Sequence, residues 1–424
     1  FMENKEQMST AEIGYWQLLR ENRNFSRLYF ARVVSLFGDW FNLLAVLALL
    51  RAIGHEGAGV FGGIFIAKSV ANLVMLPFSG VIVDRLSRRK VMILSDLGRA
   101  LVVGLMFLVL WFPSIWMVYG LLLLQSALSA FFEPARSALL PDIVLKRELT
   151  AANALGAATW STMLAIGSAT GGIFTEIFGW EWALVVDIGT YIFSAYLLLK
   201  IKEPQIEFKK TKIDFLYDMQ EGLIYLKNRF EVWTMAVVKA LWSIVGSVSV
   251  LLALLGEGKY MLEAGAMISV SVLFVARGLG TGLGPIISRS LSKSDPHKME
   301  KFITYGFLIG AIFYALIPFA QTIWVVIILL ILAHIGGATI WVFSSIRLQQ
   351  LVETEVRGRI FAWELVFFLL VNIVSIYVYS WLLDNYTIEP DQVFGILGVS
   401  LLLPVNFWIW RMKRIKAISD QESK

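Results

Sequence analysis

The sequence predicts an all-α membrane protein of about twelve transmembrane helices in two pseudo-symmetric six-helix bundles. Three observations carry that expectation. Hydrophobic residues make up 58% of the 424 and charged residues only 16%, with a mean hydropathy of +0.70; a water-soluble domain needs more polar surface than this. The apolar residues gather into about twelve runs, each near the ~20 residues that a helical crossing requires. The second six runs echo the first six. Cysteine is absent, which excludes disulfides and thiolate metal sites. The net charge of +5 comes from short basic clusters between apolar runs. Such clusters set topology, and no nucleic-acid partner is expected from them.

Taken in order, residues 2–12 are polar and read as disordered. Phe1 ahead of Met2 reads as an addition to the native start, and the first twenty residues are too polar for a signal-peptide core. Gly14–Arg27 sets Tyr15, Trp16, Leu18 and Leu19 against Arg20, Glu21 and Arg23, the pattern of an amphipathic helix lying among lipid headgroups. The first six spans run near 28–51, 59–82, 91–111, 115–133, 153–175 and 181–201. The second six run near 232–256, 264–288, 302–319, 322–345, 360–383 and 391–411. Between them, Lys202–Glu231 is charged and carries an amphipathic stretch (Phe215, Leu216, Met219, Leu223, Leu226), as a linker between two halves would. The expected organisation is therefore a tail with an interfacial helix (1–27), a first bundle (28–201), a linker (202–231), a second bundle (232–411) and a tail (412–424).

Lys and Arg collect in the N-terminal tail, at 85–90, 136–147, 200–229, 289–301 and 347–359, and in the C-terminal tail, while the alternate loops carry almost none. By the positive-inside rule both termini lie in the cytoplasm of a bacterial-type inner membrane. The repeat is visible at two places. Gly80-x-x-x-Asp84-Arg85 ends the second span and Gly284-x-x-x-Ser288-Arg289 ends the eighth; Arg136…Asp142 leaves the fourth and Arg347…Glu353 leaves the tenth. The later copy of the first motif has Ser where the earlier has Asp, so the two halves are not equivalent there.

The short knot Gly80-Val-Ile-Val-Asp84-Arg85-Leu-Ser-Arg88-Arg89-Lys90 fits G-x-x-x-D-R-x-x-R-[RK]-[RK]. It resembles the loop between helices 2 and 3 of the major facilitator superfamily of secondary transporters. Phe131-Phe-Glu-Pro134-Ala135-Arg-Ser-Ala-Leu-Leu-Pro141-Asp-Ile-Val144 is followed by Leu149-Thr-Ala151-Ala-Asn153-Ala-Leu155. With Glu221-Gly222-Leu-x-Tyr225-Leu226 and Arg357-Gly358-Arg359-Ile-Phe361, these stretches resemble the branch of macrolide-efflux-type drug:proton antiporters. That branch is also similar to siderophore exporters and lysophospholipid flippases. Gly167-Ser168-Ala-Thr-Gly171-Gly172 matches an exporter motif with Ser in place of Pro.

The resemblance implies a secondary active transporter working by alternating access, a proton-coupled exporter of amphipathic small molecules; a lysophospholipid flippase or siderophore exporter on the same fold is the alternative. Its partners would be a small amphipathic molecule or a lipid as substrate, the proton as coupling ion, and membrane lipids. No cofactor and no enzymatic activity are implied. The resemblance further implies a cytoplasmic gate formed by Gly80, Asp84, Arg85, Arg88, Asp96 and Arg99. No G-x-x-x-x-G-K-[ST] loop is present, so ATP is not the expected energy source.

Ionisable groups inside spans are costly and mark function by default. Here they are Arg32, Asp39, Lys68, Asp96, Arg99, Asp187, Lys239, Arg277, His334 and Glu364. Arg32, Asp39, Lys68, Lys239, Arg277 and Glu364 are the candidates for proton coupling or a substrate cavity. Asp39 is the foremost proton carrier, or else a structural carboxylate paired with Arg99 or Lys68. Lys68, Lys239 and Arg277, if they face inward, suit an anionic or zwitterionic substrate. Glu364 either balances them or joins a gate with Arg347 and Arg359. Arg89 and Lys90 read as topology anchors, and His334 as a helix–helix contact. Trp40, Trp160, Trp242 and Trp341 lie deep in spans, lining a cavity or packing a core. The scattered His55, His297 and His334 form no catalytic or metal cluster.

Overall fold

An apolar run in a bilayer finds no water for its backbone, so it must close its own hydrogen bonds as helix. The computed structural model describes residues 14–202, 215–292, 295–353 and 356–422, and it is built from helices accordingly. The amphipathic start is two helices rather than one. α1 (Tyr15–Glu21) stops at Asn22, whose side chain accepts from the Phe25 amide and caps α2 (Arg23–Ala52). α1 is docked: Leu18 is buried with Phe25, Leu28, Val91, Leu140 and Leu198, while Tyr15 and Trp16 face outward. The Asn22 amide fixes it, donating to the Ile143 carbonyl (2.8 Å) and to Glu148 (3.2 Å).

α3 (Ala58–Arg85) contains Pro77, which has no N–H to offer the Leu73 carbonyl one turn back. α4 (Arg88–Leu105) is capped by Ser87 and runs on as a tighter turn over Met106–Leu110. α5 (Ile115–Ser129) and α6 (Phe132–Ile143) form one stepped crossing. Pro134 explains the step: it cannot donate backwards, so it is tolerated only in the first turn of a new helix. This crossing extends ten residues beyond the expected end at 133. α7 (Leu149–Leu199) has 51 residues. At ~1.5 Å per residue it would measure about 75 Å, more than twice the ~30 Å hydrocarbon layer. It turns at Gly179, whose φ of 84° and ψ of 166° suit a residue without Cβ, and so makes two crossings.

After α8 (Phe215–Asn228), one broken crossing is assembled from α9 (Phe230–Ala236), α10 (Val238–Trp242), a 3-10 turn (Ser243–Val245) and α11 (Val248–Glu257). α12 (Ala266–Ser292), α13 (Pro296–Leu316), α14 (Ile323–Leu351) and α15 (Arg357–Asn385) follow, and α16 (Pro390–Ser400) with α17 (Leu402–Glu422) makes the last. Among the described residues, 11 helical runs are long and apolar enough to cross a membrane; dividing α7 at Gly179 gives the twelve expected crossings.

The described residues of Phe1–His55 and Val74–Lys212 form one compact unit, and those of Glu56–Leu73 and Ile213–Lys424 form the other. α3 changes unit between Leu73 and Val74, in the turn that Pro77 weakens. Within the first unit α2 packs chiefly on α7; within the second, α12 and α13 pack on α14. The α8 segment of the linker docks on α15 through Trp363 Nε1, which donates to the Met219 carbonyl at 2.9 Å, and through a Glu221–Arg359 ion pair. Linker residues Lys209, Lys210, Lys212 and Asp214 lie outside the described residues.

Candidate functional site

The first unit gathers its inward charges around Arg99. Helical spacing does this: Ser35 and Asp39 share a face of α2 at i, i+4, Asp96 and Arg99 a face of α4 at i, i+3, and Tyr191 and Ser194 a face of α7. Arg99, 2% exposed, donates to Ser35 (2.9 Å) and to Asp96, and lies 3.5 Å from Asp39. Its guanidinium carbon sits 4.3 Å from the centre of the Tyr191 ring and 5.3 Å from that of Phe132. Tyr191 donates its hydroxyl proton to Asp39 at 2.6 Å and accepts from Gln125 at 3.1 Å, while Ser194 donates to Asp96 at 2.6 Å. Asp96 is sealed; the Asp39 side chain is 36% exposed. Gly38 lets α2 come this close to α7, since a Cβ there would lie 2.0 Å from Thr190 Oγ1. Two carboxylates thus share one guanidinium.

Arg32 stands apart from this network. Its Nε meets Glu133 at 2.7 Å and its Nη1 donates to the Gly156 carbonyl, while Arg136 takes the other Glu133 oxygen at 2.9 Å. In the basic knot, Arg88 donates to the Ala138 carbonyl (2.9 Å) and pairs with Asp142, at the end of α6. Arg89 reaches the Ile201 carbonyl (2.6 Å) and Arg27 the Lys200 carbonyl, at the end of α7. Cations at carbonyl-bearing helix ends are stabilising, so Arg88 and Arg89 cap helices here. Arg85 is exposed. The side chains of Gly80 and Asp84 lie outside the described residues.

In the second unit Lys239 Nζ donates to Glu364 (2.9 Å) and Ser345 (2.8 Å), with the Trp341 ring centre 4.5 Å away. Arg277 donates to Ser249. Beside it, His334 Nδ1 donates to the Leu330 carbonyl (2.9 Å), which leaves Nε2 to accept from the Tyr314 hydroxyl (3.3 Å). That is a packed histidine between α13 and α14. Lys68 is half-buried in the stretch of α3 that belongs to this unit. Trp242 stacks on Tyr314 and meets Phe307 at a tilt, packing between helices, whereas Trp341 is partly exposed. An apolar groove of about 330 Å³, lined by Val237, Leu241, Ile244, Phe367 and Val371 among others, can take hydrocarbon.

A further network escaped the sequence reading. Glu300 accepts from Arg347 (2.9 and 3.1 Å) and from Arg411 (2.8 Å), which is wholly buried and also donates to Thr234. Glu231 joins through Arg347 at 3.5 Å. In the loop between α11 and α12, Lys259 pairs with Asp391, and that hydrogen bond raises its ammonium above the ordinary lysine range.

A family model described as Major Facilitator Superfamily matches residues 28–375. The proposed bacilysin exporter BacE of Bacillus subtilis (strain 168) is 28% identical over 347 residues, 80% of this chain and 83% of that protein. Macrolide efflux protein A of Enterococcus faecalis is 25% identical over 187 residues, 42% of this chain and 58% of that one. Among solved structures, a POT family transporter in complex with 5-aminolevulinic acid superposes with a TM-score of 0.75 at 11% identity, covering 96% of this chain and 99% of its own. The nucleoside transporter NupG gives 0.70 at 11% identity, covering 92% and 99%. These two likenesses speak for the fold.

Proposed function

The chain belongs to the major facilitator superfamily, and on that premise we propose that it is a proton-coupled exporter of amphipathic small molecules working by alternating access. Export is supported by the names of its relatives. An amphipathic cargo is supported by the apolar groove in a unit that also buries the Lys239–Glu364 pair. The positively charged loops support an inner-membrane setting with both termini in the cytoplasm. Gly80, Asp84, Arg85 and Arg88 then belong to a cytoplasmic gate, where contacts from Arg88 and Arg89 to helix ends are of a kind that a rocking motion can make and break.

The observation that carries proton coupling is the sharing of Arg99 by Asp39 and Asp96. With both acids ionised, the pair carries one negative charge more than Arg99 balances. A proton on either acid cancels that excess, and a buried uncompensated charge is costly. Asp39 is the acid a proton can reach, being the more exposed of the two. The test uses liposomes carrying the protein and a pH-sensitive dye, challenged with a panel of amphipathic antibiotics. Wild type should move protons when a substrate is added, and Asp39→Asn should not, with its melting temperature kept. Unchanged coupling in the variant removes Asp39 from the mechanism. Flux indifferent to a collapsed proton gradient points instead to the lipid-flippase alternative.

A further inference from the structure

We infer that the Lys239–Glu364 pair is a binding site for the carboxylate of an amphipathic substrate, which takes the place of Glu364 on Lys239 while Glu364 takes up a proton. The inference deepens the transport reading and rests on it. Four features of the second unit lead to it. Lys239 lies on α10, a five-residue helix set between a break at Val237 and the 3-10 turn at Ser243–Val245. Neighbouring α15 holds the break: Ser375 donates to the opened Ile244 carbonyl at 2.6 Å, and the Ser243 hydroxyl donates to the Phe368 carbonyl of α15 at 3.0 Å. A short mid-span 3-10 turn is a place where a helix can shift.

Glu364 spends only one oxygen on Lys239; among the described residues its buried Oε1 accepts no hydrogen bond. Lys239 is its ion-pair partner among those residues. The roof is aromatic, with Trp341 at 4.5 Å and Phe361 at 5.9 Å from the ammonium, and Trp341 is 41% exposed at the surface of the unit. The site is therefore already built for one carboxylate beside an apolar wall. Exchange keeps the charge balanced. Before it, one ammonium faces one carboxylate; after it, the ammonium faces the substrate carboxylate, and Glu364, stripped of its counterion, holds a proton from solvent as a neutral acid. A cation would meet Lys239 head-on, and an amide would leave Lys239 buried without a counterion.

The experiment titrates naphthylacetate into the purified protein in phosphatidylcholine nanodiscs by calorimetry, in two buffers of different ionisation enthalpy to count protons. Naphthylacetamide and naphthylethylamine serve as neutral and cationic controls. Wild type should bind the acetate with uptake of about one proton and at least about tenfold more tightly than either control. Glu364→Gln should keep binding and lose the proton uptake. The neutral pair Lys239→Met/Glu364→Gln, which leaves no buried charge and so keeps the fold, should lose about tenfold or more in affinity. Equal binding of the amide, undiminished binding by the double variant, uptake persisting in Glu364→Gln, or no binding at millimolar acetate would each overturn the inference. Proton movement in the Asp39 liposome assay is measured separately, so a failed titration leaves the transport reading standing.

Discussion

Replacing Arg99 by Met strips two carboxylates of their shared cation. Removing one partner of a buried ion pair costs about 3–5 kcal/mol, and the ring contact to Tyr191, at 4.3 Å, adds about 1–2 kcal/mol when desolvated. The loss of about 4–7 kcal/mol, at roughly 2–4 °C per kcal/mol for a unit of this size, lowers the melting temperature by about 8–28 °C. Asp96→Asn keeps an acceptor for Ser194 and removes a charge that Arg99 had to share, so it costs less, about 1–3 kcal/mol. The informative variant is the double one. With Asp96 already neutral, Arg99→Met no longer leaves a sealed charge behind, and the pair should be less damaged than the sum of the singles by at least about 1 kcal/mol. Thermal melts in one lipid composition, repeated at several scan rates because such unfolding is commonly irreversible, give the cycle. Additivity within about 0.5 kcal/mol would falsify the reading that Arg99 works through Asp96.

Two further outcomes are expected. Glu300→Ala deprives the buried Arg411 and its neighbour Arg347 of their common acid and should cost about 3–5 kcal/mol. Glu300→Gln keeps an acceptor and should recover part of that, while equal melting of the two variants would show that the acceptor contributes nothing once the charge is gone. Lys259 is raised by its bond to Asp391, so its contribution is complete below the ordinary lysine value, about 10.4, and fades as pH climbs through the raised one. The melting difference between wild type and Lys259→Met should stay constant from neutral pH to about 10 and close above it; a difference that shrinks already between pH 7 and 9 contradicts the pairing.

Span positions and the inward acids are legible in the sequence because length, hydropathy and i, i+3 spacing are local signals. Asp96 and Arg99 announce each other in that way. The partners that decide each charge's role are not local. Glu364 reads equally well as a cavity acid or as a gate acid with Arg347 and Arg359, until the fold hands Arg347 to Glu300 and Arg359 to Glu221 and leaves Lys239 for Glu364. Glu300 looks like one more charge in the basic turn at 289–301, and only packing brings Arg411 to it from 111 positions away. Glu133 hides because a proline follows it and the span seems to end there. Tyr191 is hidden by its aromatic ring, although Asp187, Thr190, Tyr191 and Ser194 recur at i, i+3, i+4 and i+7, which is the trace of a polar stripe.

The way charge is balanced differs between the units, and on the proposed reading that difference divides their labour. Around Arg99 the described acids outnumber the base: Asp39 and Asp96 share its single guanidinium, and the buried Asp187 lies beside Tyr191. Such a cluster gains from a proton with no ligand present. Lys239 and Glu364 are one against one, so that pair has nothing to gain from a proton until another anion claims the ammonium. The first arrangement responds to pH alone, while the second responds to pH only in the presence of a carboxylate. A transporter needs both kinds of response if substrate and proton are to be exchanged rather than to leak independently. The coupling would then reside in the conformational step that connects the two sites, and no direct contact between Asp39 and the substrate is required.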